Sequence, residues 1–221
     1  MQMTRFHVLS LFPESMRSYI DSSILSRAQK AGLIDVRLYN IRDYTTDKHH
    51  KADGRPYGGG PGMVLFAEPI IRAVDEIKKN TIPSKTKTIL FSPSGTQLTN
   101  ASAKTYSKKY TDIILICGHY EGIDARVKKI LKAEEISIGQ FVLTGGELPA
   151  LALIDATSRQ IEGVLGDRES LEEKRAASPQ VYTRPELLEH KGKKYRVPKV
   201  LLSGNHAEIE KWKVAKQAKK A

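Results

Sequence analysis

The chain has 221 residues, with 36 Lys and Arg against 25 Asp and Glu, a formal net charge of +11 and 40% hydrophobic residues. That length and apolar content allow a full core without disulfides or structural metal, which excludes disorder as the default. No apolar run approaches the roughly 20 residues that cross a bilayer. No charged segment followed by a long apolar stretch opens the chain, so a cytoplasmic protein with no membrane partner is expected.

In chain order, Arg5 to Leu11 predicts a strand. Pro13 opens a helical stretch in which Met16, Ile20, Ile24, Leu25 and Ala28 recur at helical spacing until Gly32. Leu33, Val36, Leu38 and Ile41 suggest a second strand. The polar, glycine-rich segment that follows to Met63 is too long for an ordinary connection and reads as a functional loop. Ala67 to Lys79 predicts an amphipathic helix, Thr86 to Phe91 a strand, Asn100 to Tyr110 a helix and Ile113 to Cys117 a short buried strand. Gly122 to Leu131 reads as helix, Ile136 to Ile138 as strand and Glu147 to Ile161 as a helix apolar on most sides. This alternation implies an α/β domain over residues 1–162, with a mainly parallel sheet and helices on both faces. Residues 163–180 lose the apolar period and read as a linker. Glu186 to His190 and Ala207 to Lys219 look helical, which makes 181–221 a small, mainly helical appendage.

The charge is uneven. Residues 181–221 carry eleven Lys and Arg against four Glu, so +7 of the total lies there, and a polyanion such as nucleic acid is the natural partner. The single cysteine, Cys117, excludes a disulfide framework and a thiolate zinc site. His49 and His50 stand at no recognised metal spacing, so no metal site is predicted.

In a doubly wound sheet, ligands sit beyond the C-terminal strand ends. Three loops expected there combine small residues with a few polar groups: FSPSG (Phe91–Gly95), CGHYEG (Cys117–Gly122) and SIGQFVLTGGELP (Ser137–Pro149). Such loops suit a nucleoside held through main-chain groups. GGGPG at Gly58–Gly62 is not a phosphate loop, because no Gly-Lys-Ser/Thr follows it.

Together and in order, these stretches resemble the bacterial tRNA (guanine-N1)-methyltransferase family of the SPOUT superfamily. The resemblance runs through LFPE (Leu11–Glu14), RPYGGGPGM (Arg55–Met63), SPSG, CGHYEGID (Cys117–Asp124), SIGQFVLTGGELPALALID (Ser137–Asp155), GVLG (Gly163–Gly166), YTRPE (Tyr182–Glu186) and VLLSGNHAEIEKW (Val200–Trp212). It implies a deep trefoil knot late in the α/β domain, an obligate homodimer, and methyl transfer from S-adenosylmethionine to guanosine 37 beside the anticodon, with guanosine required at position 36. The donor-binding residues it implies are Leu90, Ser92 and Pro93; Gly118, Tyr120 and Glu121; and Ile138, Gly139, Gln140, Phe141, Val142, Leu143, Gly145 and Gly146. The anticodon arm of tRNA would be held by Arg55, Tyr57, Gly58 and Gly59 and by Arg184, Asn205 and His206. Members are reported to need Mg²⁺, although no ligand cluster in the sequence marks a site for it.

The chemistry demands one base and one cation, because N1 of guanine is protonated at neutral pH and becomes nucleophilic only as charge develops on O6. Arg159 falls on the family's catalytic arginine and suits the O6 role. The family's base is an aspartate followed by Ser and Phe; here the segment ESLEEKRAASPQVYTRPE is shorter and Lys174 takes the aligned position. Glu173 is the nearest carboxylate and is the expected base. Two other readings stay open: an RNA-binding protein without catalysis, and a related knotted methyltransferase with another target.

Overall fold

The structure, a computed structural model, describes residues 3–165 and 180–218. In chain order, β1 (Thr4–Ser10) leads through a 3-10 turn at Pro13–Met16 into α1 (Arg17–Ile20) and α2 (Ser23–Lys30), then β2 (Ile34–Asn40). The helical stretch expected from Pro13 to Gly32 is therefore broken. Ser22 is extended and its hydroxyl donates to the Tyr19 carbonyl, so a side-chain bond replaces the helical ladder there.

Two short strands, β3 (Asp53–Gly54) and β4 (Val64–Leu65), pair antiparallel at the base of the glycine-rich loop. Then come α3 (Ala67–Lys78), β5 (Thr86–Gln97), α4 (Asn100–Lys109), β6 (Asp112–Ile116), α5 (Arg126–Leu131), β7 (Glu134–Ser137) and α6 (Glu147–Ser158). α5 begins later than the sequence suggests, because the Asp124 carboxylate accepts the Arg126 N–H and turns the chain ahead of the helix. β5 is longer than expected. Phe91 and Thr96 both align with Ile136, so the residues between them bulge out of the ladder and the strand resumes beyond.

The five-stranded sheet has the order β2-β1-β6-β5-β7, and every pairing is parallel. β6 is buried along its whole length, as a strand covered on both faces must be. Alternation divides the core in two. Phe6, Val8, Ile113 and Leu115 face α1, α2, α4 and α6, whereas Leu9, Ile114 and Ile116 face α3 and α5. The apolar residues Ile70, Ala73, Val74 and Ile77 of α3 recur at helical spacing and form its buried stripe.

At the starting end of the strands lies a buried ionic network. Asp112 is fully buried; its carboxylate accepts from Arg5 Nε (2.7 Å) and Nη2 (3.0 Å) and from Thr111 Oγ1 (2.9 Å), and it pairs with His7 Nε2 at 3.1 Å. His7 Nδ1 then meets Tyr39 OH at 3.0 Å. A neutral His7 donating Nε2–H to Asp112 and accepting from Tyr39 satisfies every atom. Burial alone would raise the Asp112 carboxyl, but the bonds from Arg5, His7 and Thr111 outweigh it and hold it below the ordinary value. Burial pushes His7 down, against the opposing pull of Asp112.

The chain divides into two compact units, Met1–Gly166 and Asp167–Ala221. Val164, in the stretch expected to be linker, is buried in the first core. In the second unit β8 (Leu187–His190) and β9 (Lys193–Arg196) form an antiparallel hairpin, followed by α7 (Lys199–Leu202) and α8 (His206–Ala218). The helix expected over Glu186 to His190 is thus a strand. Lys191 (φ 50°) and Gly192 (φ 74°) form the two-residue turn that fixes the hairpin. Among the described residues no helix is long and apolar enough to cross a membrane.

Both His7 and Asp112 are held below their unfolded values. Their stabilisation is therefore present above those values and is lost on acidification, from about pH 6.5 downward for His7 and from about 3.9 downward for Asp112. Asp112→Asn is expected to lower stability by about 3 kcal/mol at pH 7 and to steepen the loss between pH 7 and 4, because His7 then lacks the carboxylate that favours its protonated form. Denaturant midpoints measured across that range check both effects.

Candidate functional site

The ends of β6, β5 and β7 lie side by side, and the loops that leave them enclose a cavity of about 290 Å³. One wall is the β5 bulge with Phe91, Ser92 and Pro93; a second is Gly118–Gly122 beyond β6; the third is the segment from Ile136 through Gly146, closed by Pro149 of α6. The volume lies at the lower end of small-molecule sites, roughly 300–1,000 Å³.

Main-chain crowding shapes this cavity. A Cβ on Gly146 would stand 2.6 Å from Cys117 Cα and 2.9 Å from Gly118 N, so only glycine lets the third loop lie on the second. The Gly146 N–H donates to the Gly118 carbonyl at 2.9 Å, and His119 bridges antiparallel to Gly145. At Gly95 a Cβ would stand 2.7 Å from the main chain of Glu135 and Ile136, where β5 resumes against β7. Such loops expose carbonyl and N–H groups to a ligand at close range, as a nucleoside requires.

Every donor-binding residue expected from the sequence lines the cavity except Leu90, buried within β5, and Gln140, which is exposed on the loop. Phe91, His119, Gly122, Ile136, Ser137, Thr144 and Pro149 line it as well; all but Ile136 fall inside the three loops singled out from the sequence, without being named there as donor-binding. His119 sits between two aromatic rings, Phe12 at 5.0 Å and Tyr120 at 4.6 Å between centroids. Its place depends on Phe12, distant in sequence, so no local pattern could mark it. Tyr120 has a left-handed backbone (φ 56°), uncommon for a non-glycine residue and found here on the cavity wall. The Cys117 thiol behind Gly146 is buried, and burial, with the Glu147 carboxylate adding to it, pushes it well above the ordinary range. It remains a neutral, structural group.

The glycine-rich loop is stitched to this cavity. Glu121 N donates to the Met63 carbonyl (3.1 Å), Leu65 N to the Gly122 carbonyl (3.0 Å) and Asp124 N to the Leu65 carbonyl (3.1 Å). Arg55 is exposed and Tyr57 is fully exposed; Gly58, Gly59, Gly60 and Gly62 all adopt positive φ. Arg159 caps the C-terminal end of α6, half-buried, and is not among the residues lining the cavity. Glu173 lies outside the described residues, as do Lys174 and the neighbouring carboxylates Asp167, Glu169 and Glu172. In the second unit Arg184 and His206 are exposed, whereas the Asn205 side chain accepts from Glu208 N and caps α8. Among the described residues no group of three or more His, Cys, Asp or Glu side chains converges as a metal site.

Residues 4–221 match the family described as tRNA (Guanine-1)-methyltransferase TrmD. The chain is 46% identical over 213 residues to the tRNA (guanine-N(1)-)-methyltransferase of Carboxydothermus hydrogenoformans, which covers 95% of this chain and 81% of that protein. The proteins of the same name from Clostridioides difficile and Ruminiclostridium cellulolyticum are 47% and 49% identical. Each covers 95% of this chain, and 90% and 89% of their own lengths respectively.

Gly146→Ala, which presses a methyl group onto immovable main chain, is expected to weaken S-adenosylmethionine binding at least tenfold, about 1.4 kcal/mol. Titration calorimetry measures it; unchanged affinity would mean that the Gly118 segment yields.

Proposed function

This chain belongs to the tRNA (guanine-1)-methyltransferase family, and on that premise we propose that it transfers a methyl group from S-adenosylmethionine to N1 of guanosine 37 in tRNA, with guanosine 36 as the recognised neighbour. The observation that carries the reading is the cavity formed by three small-residue loops at the ends of β5, β6 and β7, where Gly146 lies on Cys117 and Gly118.

S-adenosylmethionine, when bound, supplies a methyl group activated by a sulfonium. The chain's task is to place guanine N1 in line with it, take the N1 proton and neutralise O6. The loop segments 118–122 and 138–146 offer main-chain groups and apolar side chains that fit an adenosine, and Pro93 and Phe91 close its other side. Arg159, fixed at the end of α6, supplies a permanent cation and forked donors for O6. Glu173, in the segment after the α/β unit, is the carboxylate that takes the proton. Mg²⁺, reported for the family, enters no step of this scheme.

The partner is the anticodon arm of tRNA. Fully exposed Tyr57 and exposed Arg55 stand on the loop stitched to the cavity, offering a stacking face and a phosphate contact. In the second unit the β8–β9 hairpin carries Lys191, Lys193, Lys194 and Arg196 exposed to solvent, beside exposed Tyr195. Residues 181–221 therefore act as a small RNA-binding domain, joined through a linker that begins only after the first unit ends at Gly166, in a cytoplasmic enzyme.

The active form is a homodimer with a deep trefoil knot. α6 is apolar on most sides, yet Leu148 is 60% exposed, and exposed Tyr19 of α1 bonds to Asp155 of this helix. A helix of that composition calls for cover on every face, and a second copy supplies it. The knot reading is supported by main chain packed on main chain at Gly95 and Gly146.

Two experiments test the scheme. Primer extension on tRNA transcripts is expected to place the methyl at position 37 when positions 36 and 37 are guanosine and to find none when 36 is adenosine; methylation elsewhere would refute the assignment. Glu173→Gln and Arg159→Ala are each expected to lower kcat by roughly 10²–10³-fold with tRNA affinity nearly unchanged. Rates near wild type would remove the residue from its role.

A further inference from the structure

His119 carries the one buried, unpartnered ring nitrogen on the wall of the donor cavity among the described residues, and its surroundings are specific. The ring is clamped by Phe12 and Tyr120, its main chain is bridged to Gly145, and Nδ1 is buried with no hydrogen-bond partner. An orphaned buried nitrogen costs about 1–3 kcal/mol, a penalty that points to use in another state.

The other half of the arrangement is Glu147. A Cβ built on Gly145 would meet Glu147 Oε2, and at 2.9 Å His119 Nδ1, so carboxylate and imidazole flank the same face of one glycine. Glu147 is positioned from behind: Ser10, fully buried at the end of β1, donates its hydroxyl to Glu147 Oε1 at 2.5 Å and accepts from Phe12 N at 2.7 Å. The LFPE, CGHYEG and TGGELP segments thus meet at Gly145.

On the reading that this cavity holds S-adenosylmethionine, the ligand brings a sulfonium, an ammonium and a carboxylate. The ionisable side chains on the lining are His119, Tyr120 and Glu121, and only His119 can become a cation. Glu121 suits the ammonium, which leaves His119 for the carboxylate. We propose that protonated His119 anchors the donor's carboxylate through Nε2–H, while Glu147 takes Nδ1–H and acts as the positioning residue. In the protonated ring the orphaned Nδ1 finds its partner in the neighbouring Glu147 carboxylate, and Nε2–H is left for the ligand. The titratable groups facing the pair are Glu147 from α6 and Cys117, Tyr120 and Glu121 from His119's own segment; the end of β1 contributes the Ser10 hydroxyl, and the 138–146 loop contributes main chain only.

Calorimetric titration of the full chain separates this inference from the donor reading itself. S-adenosylhomocysteine carries the carboxylate, whereas 5′-methylthioadenosine lacks the amino-acid arm. Because histidine ordinarily changes charge between pH 5 and 8, S-adenosylhomocysteine is expected to bind about tenfold more weakly at pH 8 than at pH 6, and 5′-methylthioadenosine equally at both. His119→Gln is expected to lose about tenfold for S-adenosylhomocysteine at pH 6, to abolish its pH dependence and to leave 5′-methylthioadenosine unchanged. Glu147→Gln, with 5′-methylthioadenosine binding as a check on its fold, is expected to move the pH dependence to lower pH. Wild-type-like binding of S-adenosylhomocysteine by His119→Gln, or an equal loss for both ligands, would overturn the carboxylate role. Failure of the wild-type protein to bind either ligand would refute the donor reading and the inference with it.

Discussion

The approach of the Gly146 main chain to Cys117 and Gly118 is the constraint on which the site depends. Three parallel strands end beside one another, and the loops leaving them must share the space above the sheet edge. A side chain at 146 would force the third loop off the second, and one at 95 would lift the continuation of β5 from β7. Because these positions are bare, the loops close into a cavity whose walls are largely main chain. A surface of that kind can meet a ligand through backbone hydrogen bonds.

The same strands separate stability from function. Their starting end holds Asp112, Arg5, His7, Tyr39 and Thr111 in a satisfied buried network that fixes the order of β2, β1 and β6. Their finishing end holds the cavity, a left-handed Tyr120 and the unpartnered Nδ1 of His119. Buried polar groups that are fully paired rigidify a fold, whereas an unpaired one leaves a local cost that the fold has not removed.

Much of this was legible in the sequence for identifiable reasons. β6 reads as a strand because both its faces are buried and Ile113–Ile116 is continuously apolar, and α3 reads as a helix because its buried residues recur at one period. The loops that line the cavity announced themselves as small residues directly after strands. Other features were hidden because tertiary contacts decide them. LLEH at 187–190 is too short for periodicity to choose, and it became a strand through the Lys191–Gly192 turn and pairing with KKYR. The β5 bulge exists only because Phe91 and Thr96 share Ile136. His119 matters through Phe12 and Glu147, far from it in sequence. The roles of Arg159 and Glu173 rest on resemblance; among the described residues Arg159 is not on the cavity wall, and Glu173 lies outside them.

The central claim is that the loops at the ends of β5, β6 and β7 form the methyl-donor site. Hydrogen–deuterium exchange of the full chain with and without S-adenosylmethionine tests it most directly. The expected result is slowed exchange confined to residues 91–95, 118–122 and 138–146, with the sheet interior unchanged. Protection absent from these three segments and present elsewhere in the chain would contradict it.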